Sequence, residues 1–258
     1  AATLLIAFAQ PVGNADIGFH LRIGDHILRT FRVPEIDLWS WTAFGKPYLD
    51  QEWLSQVLYA LAERAGGADG VALLAALAIA GAFLVLMTTM PGGPAFRIAL
   101  LLPVAYLASS HAMARPHVLG WLLLAVFLKT RQKGPVWAPP LLLALWANCH
   151  ASFILGTGLG VLHFLEKRRP LPAMACVLAP LLNPYGWRLY GFFLEIRDLP
   201  LDLIGEFRPL EPESPFLWVW VAFLLLLAWG LVLARRFRPL ELLGVVALAA
   251  LGFLGMRY

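Results

Sequence analysis

Asp16 and His20 stand four residues apart, as do Glu52 and Gln56, so on a helix each pair shares one face. Asp37 and Asp50 add two carboxyls to the same stretch. Arg115 and His117 follow in ARPH, His150 in WANCH, Asn183 in NPYG, Glu206 and Arg208 in EFRP, and Arg257 next to the last residue. A charge near hydrocarbon is costly, so ionisable groups at the edges of apolar runs are candidates for function. Carboxylates joined by Arg and His could bind a phosphate and take the proton of a hydroxyl. Plainer roles stand beside this one. His20 and His26 suit an interfacial helix, Asp25 and Arg29 a solvated pair, Asp37 a turn cap before LWSWT, and Asn183 a helix-ending turn. Snorkelling would account for Arg115 and Arg257. His150 and Arg115 sit at segment ends within reach of a lipid headgroup, whereas His163 falls near the opposite face.

Other chemistries leave no trace. The chain has no Walker A loop, GxSxG elbow, HExxH or CxxCH. GTGLG at 156–160 reads as small-residue helix packing. The histidines are scattered without the pairing of a metal or haem site, and Cys149 and Cys176 lie on different apolar segments as inert thiols. No metal ligand is specified; a divalent cation stays open as a cofactor without a motif for it.

The elements that must position these groups are membrane segments. The chain is 60% hydrophobic and 14% charged, with a mean hydropathy of +0.73, whereas soluble domains are about half apolar and about a quarter charged. Lipid must cover the excess. The net charge of +4 does not point to nucleic acid, because half of the bases fall in short clusters between apolar runs. Those runs are 1–12, 68–90, 96–113, 117–129, 136–149, 151–165, 171–183, 215–234 and 240–256. The expected fold is therefore all-α, a polytopic transmembrane helix bundle of about eight or nine membrane segments forming one transmembrane domain over 1–258. Several runs fall short of the roughly 20 residues of a perpendicular span, which calls for shifted boundaries or loops that dip into the membrane. Both ends are apolar, and the expectation is that both are incomplete: 1–12 reads as the stump of a cleaved signal or of a first helix.

Alternate connections carry Arg97; Lys129, Arg131 and Lys133; Lys167, Arg168 and Arg169; and Arg235, Arg236 and Arg238, accompanied only by the acids Glu166 and Glu241. Bases concentrated in short loops mark the cytoplasmic side. The two long loops, 13–67 and 183–214, then face outward. In the first, 16–31 reads as a partly amphipathic helix with Asn14 as N-cap. Trp53, Leu54, Val57, Leu58 and Leu61 form an apolar stripe on a second helix that stops at Gly66-Gly67. Both suit the interface plane, with Trp39, Trp41, Tyr48 and Trp53 at that depth. Tyr185 to Ile196 predicts a further interfacial helix.

The stretch DIGFHLRIGDHILRTFRVPEIDLWSWTAFGKPYLDQEWLSQVLYAL resembles the first outer loop of bacterial membrane glycosyltransferases of the GT-C superfamily, relatives of protein O-mannosyltransferases and lipid A aminoarabinose transferases. That loop has an acid just after the first helix and two interfacial helices, with a segment like WTAFGKPYLDQEWL between them. ARPHVLGW, WANCHASFILG, LLNPYGWRLY and EFRP resemble outer-end motifs of a bacterial branch of the group, so the likeness extends over most of the chain. It implies sugar transfer from a polyprenyl-phosphate donor to an acceptor outside the cytoplasm, in a multi-pass protein of the bacterial inner membrane. Asp16 matches the acid that serves as general base or acceptor-positioning group, and Glu52 is a second acid. Arg115, His150 and Arg208 are implied ligands of the donor phosphate, with His20 and His117 beside them. The chain departs from the pattern at NADIGFH, where many relatives carry a pair of acids, and its 258 residues hold no counterpart of their soluble outer domain. A shortened or inactive relative also fits.

Another class of function fits the same residues: a non-catalytic subunit of a larger membrane complex, whose outer polar cluster contacts a protein partner or lipid. A transporter is less favoured, since the charges lie at outer ends rather than near the midplane and no repeated broken helices are evident.

Overall fold

A computed structural model describes residues 15–196 and 213–234. All its regular elements are helices, and one isolated bridge, Ile36 to Pro47, closes a loop. The apolar runs 1–12 and 240–256, together with Asn14, Glu206, Arg208 and Arg257, lie outside the described residues.

Helix α1 (Ala15–Thr30) carries Asp16 in its first turn and Arg29 in its last, each charge opposing the helix dipole. It buries Ile17, Ile23 and Ile27 along one stripe and crosses α2 (Trp53–Thr89) at Gly24. A Cβ there would lie 2.1 Å from the Gln56 carbonyl oxygen, so only glycine permits the approach. The intervening loop turns on Asp37, whose Oδ1 accepts the N–H groups of Trp39 and Ser40, and on Gly45 at φ +77°. Asp37 is thus a turn cap.

The second outer helix breaks at Gly66-Gly67 as expected, both glycines leaving helical geometry with Gly67 at φ +59°. A new helical stretch begins at once, and a Cβ on Gly70 would lie 2.1 Å from the Ala62 carbonyl oxygen, so the chain turns sharply there; α2 comprises both stretches. Its apolar half packs small residues (Ala75, Ala76, Ala78) with Val71 and Ile79 against Val118 and Leu119 of α4 (Pro116–Lys133). Between them runs α3 (Pro94–Ser109).

A second core gathers α5 (Ala138–Trp146), α6 (Phe153–Glu166), α7 (Pro170–Leu178, extended by a 3-10 turn to Leu181) and α8 (Arg188–Ile196) around Phe127, Leu143, Trp146, Phe153 and Leu189. Gly156 and Gly160 let α6 lie against Trp146 and Cys176, where a Cβ would come within 2.5 and 2.8 Å. Helix α9 (Pro215–Ala234) stacks Phe216 on Tyr106 of α3. The expected runs from 68 to 183 and 215–234 thus coincide with helices. Several are shorter than expected, α5 being 9 residues long before the chain turns at Ala147. Among the described residues one helix, α2, is long and apolar enough to cross a membrane; α3, α6, α7 with its 3-10 turn and the first part of α9 are shorter apolar helices.

Candidate functional site: a polar cluster at the head of an apolar cavity

The chain alternates direction from α2 to α6, which brings the starts of α2, α4 and α6 together with the ends of α3 and α5. A cavity of about 800 Å³ opens there. One part of its wall is polar: Asp16 and His20 from α1, Glu52 before α2, Arg115 and His117 at the start of α4, and His150 and Ser152 from the α5–α6 turn. The rest is apolar and follows the helices away from that cluster, past Phe83 and Leu86 of α2, Val104 and Leu107 of α3, and Trp121, Leu124 and Leu128 of α4. From His117 to Leu128, α4 rises about 16 Å at the helical repeat of ~1.5 Å per residue.

The α5–α6 turn is clamped to the start of α2. Trp53 Nε1–H donates to Asn148 Oδ1 (2.7 Å), the Leu54 N–H to the Asn148 carbonyl (3.0 Å) and Ser55 Oγ to the Cys149 carbonyl (2.6 Å). Asn183 reaches the same turn, its Nδ2 donating to the Ala147 carbonyl (2.9 Å) and to Asn148 Oδ1 (3.2 Å). Asn183 Oδ1 accepts the Tyr185 N–H, the backbone-satisfying role its motif suggests. These bonds set Glu52 against His150, with Glu52 Oε1 3.3 Å from His150 Nε2. His20 Nδ1 lies 3.9 Å from Glu52 Oε2.

The hydrogen-bond pattern fixes both imidazoles. The Ser152 backbone N–H donates to His150 Nδ1 (3.1 Å), so Nδ1 is an acceptor, and Ser152 Oγ, 2.8 Å from it, donates as well. Trp146 Nε1–H in turn donates to Ser152 Oγ (3.1 Å). His150 therefore carries its proton on Nε2, facing Glu52. Gly120 makes room for this pair: a Cβ would stand 2.8 Å from Ser152 Oγ and 3.3 Å from His150 Nδ1. Gln56 Nε2 donates to Asp50 Oδ1 (3.0 Å) and lies 3.4 Å from His20 Nδ1, which leaves the His20 proton on Nε2.

Burial governs the ionisation of the cluster. It lowers His20 to about 4, against the opposing pull of Asp16. Burial also lowers His150 to about 3, with His117 and His20 adding to the effect, so both imidazoles are neutral donors at ordinary pH. It pushes the Glu52 carboxyl up to about 8, with the Asp50 charge adding to the effect and Arg115 opposing it, and raises Asp50 to about 7. Asp16 is 54% exposed and accepts a hydrogen bond from the Arg115 guanidinium. His117 Nε2–H donates to the His111 carbonyl (2.6 Å), and its ring centroid lies 6.3 Å from that of His150.

Six residues singled out from sequence, Asp16, His20, Glu52, Arg115, His117 and His150, thus share one cavity. Asp37, Asp50 and Asn183 do not line it; Asp50 belongs to a bracket in which its N–H meets Tyr185 Oη (3.0 Å), itself donating to the Pro34 carbonyl (2.9 Å). Ser152, Trp146 and His111 went unremarked in the sequence, Ser152 only two residues beyond His150. Among the described residues no group of three or more His, Cys, Asp or Glu side chains is arranged to hold a metal ion. No protein-family model, curated protein or solved structure matches the chain.

Proposed function

We propose that this chain is a multi-pass protein of the bacterial inner membrane, of GT-C type, that transfers a sugar from a polyprenyl-phosphate donor to a hydroxyl acceptor on the outer side. The observation that carries the reading is the cavity's division into a polar head, holding two carboxyls, a guanidinium and four imidazoles, and an apolar wall along α2, α3 and α4. A polyprenyl phosphate has the same division. Its chain would lie on the apolar wall, and its phosphate would meet Arg115 at the start of α4, where the helix dipole also favours an anion.

Membrane placement is supported by outward-facing leucines: Leu77 and Leu84 on α2, Leu102 on α3, Leu141 on α5, Leu171 on α7 and Leu225 on α9 are each more than half exposed. Soluble monomers rarely expose so broad an apolar surface. The basic clusters at Arg97, Lys129–Lys133 and Lys167–Arg169 lie at the helix ends opposite the polar head, where cytoplasmic bases belong.

In this reading Arg115 holds the leaving phosphate, Asp16 orients the acceptor or takes its proton, and Glu52 is the second acid, with Arg208 an implied further phosphate ligand. The test is transfer from a radiolabelled polyprenyl-phosphate hexose in vesicles, together with native mass spectrometry of the protein drawn gently from its membrane. Asp16→Asn should abolish transfer while the thermal midpoint is kept; full activity in that variant removes Asp16 from the mechanism. A co-purified polyprenyl phosphate, lost in Arg115→Ala, supports the donor. Stoichiometric protein partners without such a lipid would favour a non-catalytic subunit instead.

A further inference from the structure

We propose that Glu52, not Asp16, is the proton acceptor of the cavity, and that His150 is its positioning residue, a neutral imidazole locked as the Nε2–H tautomer by Ser152. The inference rests on the transferase reading for the identity of the substrate, but its geometry stands apart from it. The family resemblance implies a phosphate-ligand role for His150; its hydrogen bonds point to another task. Both donors on Nδ1 come from Ser152, and Trp146 orients the Ser152 hydroxyl, so the proton is on Nε2, which faces Glu52 Oε1 at 3.3 Å.

The second oxygen is left for substrate. His20 Nδ1 lies 3.9 Å from Oε2 but accepts from Gln56, so it has no proton to give. Glu52 lines the cavity, and with Oε1 facing His150 Nε2 its Oε2 is the oxygen offered to a substrate proton. Asp16 is placed differently. It is half-exposed and bound to Arg115, which suits it to hold an acceptor or to yield the guanidinium to a phosphate.

The step balances as follows. The acceptor O–H proton moves to Glu52 Oε2. The freed oxygen pair forms a bond to the anomeric carbon. The bond from that carbon to the phosphate oxygen breaks, and its electron pair departs on polyprenyl phosphate beside Arg115. An Nε2–H donor to Oε1 favours the ionised carboxylate and keeps a buried acid usable as a base. The charged and titratable groups around Glu52 are Asp16 and His20 from α1, Tyr48 and Asp50 from the preceding loop, Tyr59 from α2, Arg115 and His117 at the start of α4, and His150.

Two measurements test this. Nitrogen-15 spectra of histidine-labelled protein in lipid, with His150 assigned by its loss in His150→Gln, should show a neutral ring protonated at Nε2. A ring protonated at Nδ1, or a charged one at pH 7, overturns the positioning role whatever the substrate. In the transfer assay, Glu52→Gln should lower kcat at least 100-fold with KM within about threefold. His150→Ala should move the alkaline-rising limb of the pH profile upward, while His150→Gln, which retains a neutral N–H donor, should restore it. Failure of Gln to restore the limb would mean that His150 itself titrates. A KM effect alone in Glu52→Gln would return the base to Asp16. Absence of transfer in the wild-type protein would defeat the transferase reading and the base assignment, while the spectrum still decides the tautomer.

Discussion

Glu52 is 18% exposed and lies in a group of two acids and two imidazoles whose ionisation is set by burial rather than by pairing. That has a consequence for stability. Unfolded, Glu52 and Asp50 lose their protons near 4.5 and 3.8; folded, they keep them to about 8 and about 7. Over that range the native state binds more protons, so stability falls as pH rises. The histidines act in the opposite sense: unfolded they bind protons below 6.5, which the folded state refuses down to about 4 for His20 and about 3 for His150. Below 6.5 the two effects oppose each other, and above it the carboxyls act alone. The thermal midpoint in detergent should therefore fall between pH 6.5 and 8, at up to about 1.4 kcal/mol per pH unit for each proton that differs fully. Glu52→Gln should flatten the part above pH 7. Parallel curves for the two proteins would mean that Glu52 is ionised in the fold. At this scale the sequence was informative where a charge interrupts an apolar run, which is how Asp16, Glu52, Arg115 and His150 stand out. It was silent on Ser152 and Trp146, because a serine beside a turn and a tryptophan in an apolar helix are both commonplace, and only their approach to Nδ1 gives them a role.

The helices deliver these groups through a few close approaches between backbones. At Gly24 a methyl group would meet the Gln56 carbonyl, which belongs to a helix turn and cannot swing aside. Gly24→Ala should push α1 away from α2, destabilise by about 1–3 kcal/mol as overpacking does, and expose the 31–52 loop to protease. Because Asp16 and His20 ride on α1, the same variant should weaken donor binding; retention of full stability would mean that α1 is loosely held. Gly120→Ala acts on the other wall, where its Cβ would meet Ser152 Oγ at 2.8 Å. The expected result there is a shift of the His150 nitrogen-15 signals with little change in the thermal midpoint, since a side-chain hydroxyl can turn where a backbone carbonyl cannot. The apolar runs expected from 96, 117, 171 and 215 begin within two residues of the helices that open at Pro94, Pro116, Pro170 and Pro215. The break at Gly66-Gly67 was legible too, since glycine disfavours helix and tolerates the positive φ that Gly67 adopts. What the sequence did not show is that the second stretch starts at once and turns back sharply enough to place Tyr59 and Val71 in one core.

For the whole molecule, the proposed topology makes a claim that no local contact tests. If the polar head faces outward and the short basic loops inward, Lys46 in the outer loop and Lys133 at the end of α4 lie on opposite sides of the membrane. Both are exposed, whereas Cys149 and Cys176 are buried free thiols that a polar reagent will label poorly. Lys46→Cys and Lys133→Cys can therefore be read against a low background in intact cells. A membrane-impermeant maleimide should label Lys46→Cys directly and Lys133→Cys only after the inner membrane is opened. Labelling of both from outside would place Lys133 on the same side as the polar head, and the chain could not then be a bundle crossing the membrane at each helix. Labelling of Lys133→Cys alone would invert the protein and put the cavity in the cytoplasm. A donor presented on the outer leaflet could then no longer reach Arg115. The charge pattern argues against inversion: of the twenty bases, ten fall on the loops assigned inside with only two acids beside them, and insertion follows such an excess of Lys and Arg.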